Sequence, residues 1–103
     1  MKRGQVRWYI FHAPDKKRPI VILSRDSVLE YLGEVTVAPI TRTIRDIPSE
    51  VLLSKEDGLV TDCAINFDHI QTVSKAKLGA LITTLSASKL NEVRRAILFS
   101  LGL

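Results

Sequence analysis

The chain has 103 residues, of which 46% are hydrophobic and 25% are charged, a composition that indicates one globular domain over residues 1–103 and excludes extensive disorder. Its net charge of +4 favours an acidic partner, either a nucleic acid or an acidic protein. No apolar run approaches the roughly 20 residues that span a bilayer, and the N-terminus leads into a strand-like segment, so we expect a cytoplasmic protein without membrane contact. The single cysteine, Cys63, excludes an internal disulfide and is expected to be buried.

Alternating apolar and polar residues predict six strand-like segments in chain order. They cover residues 5–11, 19–24, 34–38, 48–54, 60–67 and 70–74. In the fourth segment, Val51 and Leu53 are expected to face inward, and in the last, Val73 interrupts the alternation. A short helical turn is predicted over residues 27–32.

Residues 86–101 change to a helical period, with Leu90, Val93, Ile97 and Leu101 on one side. Ser86 or Ser88 is expected to cap the start of this helix, and Gly102 to end it. Short strands followed by one terminal helix predict a mainly β protein, a small curled sheet or barrel with the helix packed across it. The βαβ rhythm of a nucleotide-binding sheet is absent from the sequence.

The sequence also lacks several motifs of cofactor-dependent enzymes. It contains no phosphate-binding glycine loop, no pair of histidines at metal-binding spacing and no Gly-x-Ser-x-Gly nucleophile turn. We therefore predict no metal site and no cofactor.

Two strand ends carry side chains suited to a phosphodiester. Arg18 precedes Pro19 at the start of an apolar strand, where its guanidinium can hold a phosphate in a bidentate fork. Thr41 follows the segment that ends at Pro39, and antiparallel pairing of the second and third strands would bring this hydroxyl close to Arg18. A solvated turn before a strand is the alternative interpretation of the basic cluster. Further polar candidates near the predicted strand ends are Lys16, Lys17, Ser24, Arg42, Arg45 and His69.

The order and spacing of these segments resemble the MazF/PemK/Kid toxins of bacterial type II toxin-antitoxin systems over nearly the whole chain. The segments that carry the resemblance are Lys2-Arg3-Gly4-Gln5-Val6 before Trp8-Tyr9, Arg18-Pro19-Ile20-Val21-Ile22-Leu23-Ser24, Val37-Ala38-Pro39-Ile40-Thr41, Asp62-Cys63-Ala64-Ile65, and Ile70-Gln71-Thr72-Val73-Ser74-Lys75. One departure is the compact connection over residues 11–17, which is longer in many relatives and there carries an acidic residue.

The resemblance implies an SH3-like β-barrel of the MazF/PemK/CcdB type with a C-terminal helix, assembled as a homodimer. It implies sequence-specific, metal-independent cleavage of single-stranded RNA to 2′,3′-cyclic phosphate and 5′-OH ends, and neutralisation by a cognate acidic antitoxin. The catalytic arginine and threonine of the family fall on Arg18 and Thr41, and Lys16, Lys17, Ser24, Arg42, Arg45 and His69 are the expected RNA contacts. Messenger RNA is the expected target, with transfer or ribosomal RNA as alternatives.

Two other interpretations remain open from the sequence. His12 and His69 are an alternative acid–base pair for RNA cleavage near neutral pH. A non-catalytic, CcdB-like barrel that binds a topoisomerase or a nucleic acid is the second, because the same fold supports different functions.

Overall fold

The computed structural model describes residues 1–10 and 17–103, which form seven strands, one α-helix and four short 3₁₀ turns. The strands are β1 Gln5–Ile10, β2 Lys17–Ile22, β3 Glu34–Thr41, β4 Glu50–Leu53, β5 Cys63–Asn66, β6 Gln71–Ser74 and β7 Leu78–Thr84, followed by helix α1 Ala87–Leu101. The predicted mainly β class with a C-terminal helix is confirmed. None of the helices in the described residues is long and apolar enough to cross a membrane.

All strand pairs are antiparallel, and the order across the sheet is β4-β5-β3-β2-β1-β7. Strand β3 is the centre of this arrangement, because it pairs with β2 along one edge and with two strands along the other. Its first half pairs with β6 up to Val37, and its last residues, Ile40 and Thr41, pair with β5. Pro39 lies between these two ladders, where its missing N–H group removes no bond on that edge.

The core lies on both faces of the central strands. Val21 belongs to the apolar cluster that includes Val93 and Ala96 of α1, whereas Ile20 and Ile22 belong to a second cluster on the other side. Burial on both faces explains why residues 20–22 form a continuous apolar run and do not alternate. Strand β2 is therefore a rigid element, and its first residues lie at the rim of the core.

Helix α1 agrees with its prediction at both ends. Ser86 is the N-cap, and its Oγ accepts a hydrogen bond from the backbone N–H of Lys89 at 3.1 Å. Gly102 ends the helix with a positive φ of 70°, in the left-handed region that favours glycine.

Several predicted boundaries are wrong. The segment predicted over 34–38 continues to Thr41, the strand predicted over 60–67 forms only at Cys63–Asn66, and the turn predicted over 27–32 is a 3₁₀ turn over Asp26–Val28. Strand β6 is not the last strand, and its buried residue is Val73. Strand β7 was not predicted, because its side chains do not alternate between buried and exposed.

Candidate active site

A cavity of about 570 Å³ opens where the start of β2 meets the end of β3. Its described walls come from β1, β2, β3 and the loop that follows it, β7, and the segment that leads into and includes the start of β5. The lining residues are Trp8, Lys17, Arg18, Pro19, Ile40, Thr41, Arg42, Thr43, Leu59, Val60, Thr61, Cys63 and Ile82. The volume is within the range of small-molecule and substrate sites in proteins.

The register of β2 and β3 explains why Arg18 and Thr41 share this cavity. The paired residues are Ile22 with Val37, Val21 with Ala38 and Ile20 with Pro39. Two further steps along the same register bring Arg18 level with Thr41, and directly opposed residues of an antiparallel pair project to the same face. Both side chains line the cavity, as the predicted hairpin requires.

The Thr41 hydroxyl is already oriented by its own chain. Its Oγ1 accepts a hydrogen bond from the backbone N–H of Thr43 at 3.1 Å. A hydroxyl has one proton to donate and two lone pairs, so this bond occupies a lone pair and leaves the proton available. Thr41 is therefore arranged to donate a hydrogen bond into the cavity.

The described lining carries three cationic side chains, Lys17, Arg18 and Arg42, and neither a carboxylate nor an imidazole. Cys63 adds no negative charge at neutral pH, because its pKa is raised above the ordinary value of 9.0. Burial is the largest cause, and the carboxylates of Asp57 and Asp62 act in the same direction. The wall of the cavity is thus positive and suited to a polyanion.

One of the three cationic residues, Lys17, contacts Trp8 in the cavity lining. Trp8 of β1 lies directly opposite Pro19 of β2, one residue from Arg18. The Lys17 ammonium lies 5.2 Å from the centroid of the Trp8 ring, within the range of a cation–π contact.

The predicted RNA contacts divide into two groups. Lys17 and Arg42 line the cavity with Arg18 and Thr41, whereas Ser24 lies beyond the other end of β2. Five residues lie between Arg18 and Ser24, and their six steps of extended chain span roughly 20 Å. The Ser24 Oγ accepts a hydrogen bond from the Thr36 backbone N–H at 2.8 Å, so it is bonded to β3 away from the cavity lining.

Two more candidates also lie away from the cavity lining. His69 is exposed in a 3₁₀ turn after β5, at the opposite end of that strand from Ala64, which pairs with Thr41. Arg45 is exposed and approaches Glu50, with 3.9 Å between its Nη1 and the Glu50 Oε2. The remaining predicted RNA contact is Lys16, and the partner of His69 in the alternative acid–base pair is His12. Both lie outside the described residues.

Glu50 holds the loop that follows the Thr41 site. Its buried Oε1 accepts hydrogen bonds from the backbone N–H groups of Arg45 at 2.9 Å and Asp46 at 3.1 Å. Asp46 has a positive φ of 53°, in the left-handed region that aspartate adopts more readily than most non-glycine residues. The loop that begins at Arg42 and Thr43 is thus fixed at a second point.

Sequence reasoning missed several members of the lining, among them Trp8, Val60, Thr61 and Ile82. Trp8 carried a signal, since it is the single tryptophan of the chain and lies in a strand that precedes the basic cluster. Ile82 had no such signal, because β7 itself was not predicted. The described residues contain no group of three or more His, Cys, Asp or Glu side chains that could hold a metal ion.

Comparison with known proteins identifies the family of this fold and site. Residues 2–101 match the family model described as the PemK-like, MazF-like toxin of type II toxin-antitoxin systems. The chain is also similar to a probable endoribonuclease MazF2 of Mycobacterium tuberculosis, with 36% identity over 103 residues and 99% of each chain covered. The chain therefore belongs to the PemK-like, MazF-like toxin family.

Two solved structures extend the similarity to three dimensions. The Mycobacterium tuberculosis toxin MazF-mt6 matches with a TM-score of 0.88 and 34% identity, covering 96% of this chain and 97% of that one. A mycobacterial endoribonuclease in complex with its cognate antitoxin matches with a TM-score of 0.89 and 27% identity, covering 100% of this chain and 96% of that one. The resemblance inferred from the sequence is confirmed.

Proposed function

We propose that this protein is the toxin of a type II toxin-antitoxin system and cleaves single-stranded RNA with Arg18 and Thr41 as catalytic residues. The observation that carries the proposal is the presence of both side chains, at the facing ends of β2 and β3, in one cavity whose described walls carry three cations. The relatives named as endoribonucleases support the activity. We place its action in the cytoplasm.

The chemistry follows from what these residue types supply. In metal-independent cleavage the ribose 2′ oxygen loses its proton and forms a bond to the adjacent phosphorus, while the bond from phosphorus to the 5′ oxygen breaks and that oxygen gains a proton. The products are a 2′,3′-cyclic phosphate and a 5′-OH end. Negative charge grows on the phosphoryl oxygens in the transition state, and a positioned guanidinium stabilises it there.

Arg18 and Thr41 have different parts in this scheme. The planar fork of Arg18 binds two phosphoryl oxygens, which a lysine cannot do in the same geometry. Thr41 donates a hydrogen bond from its hydroxyl to a phosphoryl oxygen, while its own oxygen accepts the hydrogen bond from the Thr43 N–H. Lys17 and Arg42 attract neighbouring phosphates, so the described part of the site supplies charge stabilisation and positioning.

We further propose that an acidic antitoxin segment occupies the same positive cavity and blocks it. The mycobacterial relative whose structure includes its cognate antitoxin supports a partner of this kind. Electrostatic attraction would speed the encounter, so its association rate should fall as salt rises, and apolar contacts would hold the complex. An association rate that does not depend on salt would contradict this account.

The homodimer predicted from the resemblance remains a proposal. Large apolar side chains are exposed on the edge strand β7, at Leu81, and near the end of α1, at Phe99 and Leu101. Exposed apolar residues of this kind favour association. Size-exclusion chromatography with light scattering should give a dimer at micromolar protein, and a monomer would contradict it.

The enzymatic proposal is tested by incubating the purified protein with a long single-stranded RNA in excess EDTA and mapping the ends. We expect a discrete set of cuts with cyclic phosphate on one side and 5′-OH on the other. Intact RNA would favour the CcdB-like, non-catalytic alternative. Cleavage that disappears in both His12→Ala and His69→Ala, with a bell-shaped pH profile in the parent, would transfer the acid–base role to the histidines.

A further inference from the structure

Trp8 of β1 lines the proposed active-site cavity, although membership of the strand does not require its side chain to do so. It is the single tryptophan of the chain, and it lines the same cavity as Arg18 and Thr41. Val6, two residues earlier on the same face of β1, is fully buried, whereas Trp8 remains partly exposed. The apolar face of β1 therefore continues out of the core and into the cavity.

The pairing of β1 with β7 is irregular at this point. The register shifts once between Val6 and Arg7, and again between Arg7 and Tyr9, so an irregularity lies on each side of Arg7 and the second one spans Trp8. Bulges of this kind change the direction of side chains and are concentrated next to functional sites. The pairing with β2 stays regular, with Trp8 opposite Pro19. The irregularity is thus confined to the side of β1 that faces β7.

A cation of an exposed side chain lies over the face of the Trp8 ring. The Lys17 ammonium lies 5.2 Å from the ring centroid, and the Lys17 residue is exposed. An exposed cation–π contact shifts an equilibrium by about 2- to 5-fold. A nucleobase stacked on an aromatic side chain contributes about 5- to 150-fold, so a base can take the place of the ammonium on the ring.

We propose that Trp8 is the stacking platform for the nucleobase next to the phosphodiester held at Arg18, and that Lys17 covers this platform until RNA binds. The position of Pro19 between the two residues sets the spacing, since Trp8 faces Pro19 and Arg18 is its neighbour along β2. The displaced Lys17 ammonium then remains at the mouth of the cavity and can contact a phosphate. This inference rests on the proposed RNA binding and adds the residue that would hold the base.

The test uses the intrinsic fluorescence of the protein, because emission from a single tryptophan reports on Trp8 alone. The probe is a mixed-sequence oligonucleotide of about 12 nucleotides, a length within the usual range of single-strand sites. It carries 2′-O-methyl groups on every sugar, so that it binds but cannot be cleaved. A second probe is a fully abasic sugar–phosphate chain of the same length. Binding of each probe is measured independently by the anisotropy of a terminal dye.

We expect the intact oligonucleotide to quench Trp8 at saturation, and the abasic chain to bind about 10-fold or more weakly without quenching. Trp8→Leu should lose about 10-fold in affinity for the intact probe and nothing for the abasic chain, while Trp8→Phe should keep most of the affinity. Tyr31→Leu is the matched control, because Tyr31 is an aromatic residue that is 82% exposed and lies away from the cavity. It precedes the start of β3, whereas Thr41 is at the end of that strand. The affinity of Tyr31→Leu should be that of the parent.

Salt dependence separates stacking from charge. Lys17→Met should reduce the slope of log affinity against log salt by about 0.7, the value for one phosphate contact on a single strand, whereas Trp8→Leu should leave the slope unchanged.

Three results would overturn the platform. The first is binding of the intact probe without quenching, and the second is equal quenching by the abasic chain or by polyglutamate, which would mean that the ring responds only to anions. The third is parental affinity in Trp8→Leu. Each of these leaves the nuclease proposal standing if RNA is still cut in EDTA, whereas failure of the parent protein to bind either probe would reject both. If Trp8→Leu does not fold, the quenching data and Trp8→Phe still decide the matter.

Discussion

Replacement of Arg18 by alanine tests the proposed chemistry most directly. The Arg18 side chain is exposed, and its backbone pairs with Tyr9 through the β1–β2 ladder, which alanine preserves. Thr41 belongs to the neighbouring strand and keeps its bond from Thr43. We therefore expect Arg18→Ala to fold with nearly parental stability, since exposed substitutions usually change stability by less than about 0.5 kcal/mol.

We expect Arg18→Ala to lower the rate of RNA cleavage because it removes stabilisation of the transition state. Arg18 is one of three cations in the described lining, so Lys17 and Arg42 continue to attract RNA after its removal. The developing charge on the phosphoryl oxygens loses its bidentate partner, a loss of about 3 kcal/mol by comparison with removal of an oxyanion-hole donor. That energy corresponds to a rate reduction of about 100-fold or more. The cleavage rate of Arg18→Lys should lie between those of the parent and of Arg18→Ala, because lysine keeps the positive charge and lacks the bidentate guanidinium.

Thr41→Val removes the second donor with little change in shape. The backbone N–H of Thr43 loses its acceptor in this variant, but that group is exposed and water can replace the bond. The Thr41 hydroxyl donates to a phosphoryl oxygen that carries negative charge, and a hydrogen bond to a charged group contributes about 1.5 to 3 kcal/mol, so cleavage should fall by about 10- to 100-fold. The loss should not exceed that of Arg18→Ala, which removes a positive charge and two donors.

The assay is single-turnover cleavage of an end-labelled RNA in EDTA at saturating protein, which separates the chemical step from binding. Arg95→Ala is a suitable control, because Arg95 is an exposed arginine of α1 that does not line the cavity. It should cut at the parental rate. A folded Arg18→Ala that also cuts at the parental rate would refute the assignment and direct attention to Arg42, Arg45 and His69.

Three further predictions concern the framework of the site. Gly58 has a φ of 96°, and an added Cβ would lie 2.4 Å from the Thr83 Oγ1, so Gly58→Ala should lower the melting temperature by more than about 10 °C, whereas Gly33→Ala, with open space around it, should not. The raised pKa of Cys63 gives the folded state an advantage that is present below pH 9.0 and is lost at higher pH, so urea unfolding should show the stability of the parent falling relative to Cys63→Ala as pH rises above that value. The Glu50 side chain is 1% exposed and accepts hydrogen bonds from two backbone N–H groups, so Glu50→Ala should lower the free energy of unfolding in urea by about 2 kcal/mol and Glu50→Gln should lower it clearly less. Equal losses in the two variants would contradict this anchoring role.

The elements that could be predicted from the sequence are those whose pattern has one dominant cause. Helix α1 was predicted at both ends, because its apolar period, its serine cap and its terminal glycine agree. The inward positions of β4 were predicted because Val51 and Leu53 alternate with exposed neighbours. The antiparallel pairing of β2 with β3, on which the predicted proximity of Arg18 and Thr41 depended, is present in the structure.

The elements that could not be predicted depend on tertiary contacts. Strand β7 has two register irregularities and partly buried side chains on both faces, so no period of two is visible in its sequence. The extension of β3 through Pro39 depends on a change of partner from β6 to β5 that no local pattern records. Ser24 was as suitable as Lys17 in the sequence, because a strand end alone does not reveal which end of the sheet it occupies.

The rigidity of β2 and β3 suits this end of the sheet to a catalytic site. Strands β2 and β3 are held by apolar clusters on both faces, so their side chains in the core have no freedom to move with a ligand. Functional groups attached directly to the ends of such strands inherit that rigidity, and preorganised charge is what stabilises a transition state most effectively. Arg18 and Lys17 both have exposed side chains, so what the fold fixes is the position of their backbones at the start of β2, level with the end of β3. In the proposed mechanism this fixed origin keeps the Arg18 guanidinium within reach of the phosphate that the Thr41 hydroxyl binds, and Lys17, which rests on the Trp8 ring, contacts the RNA beside it.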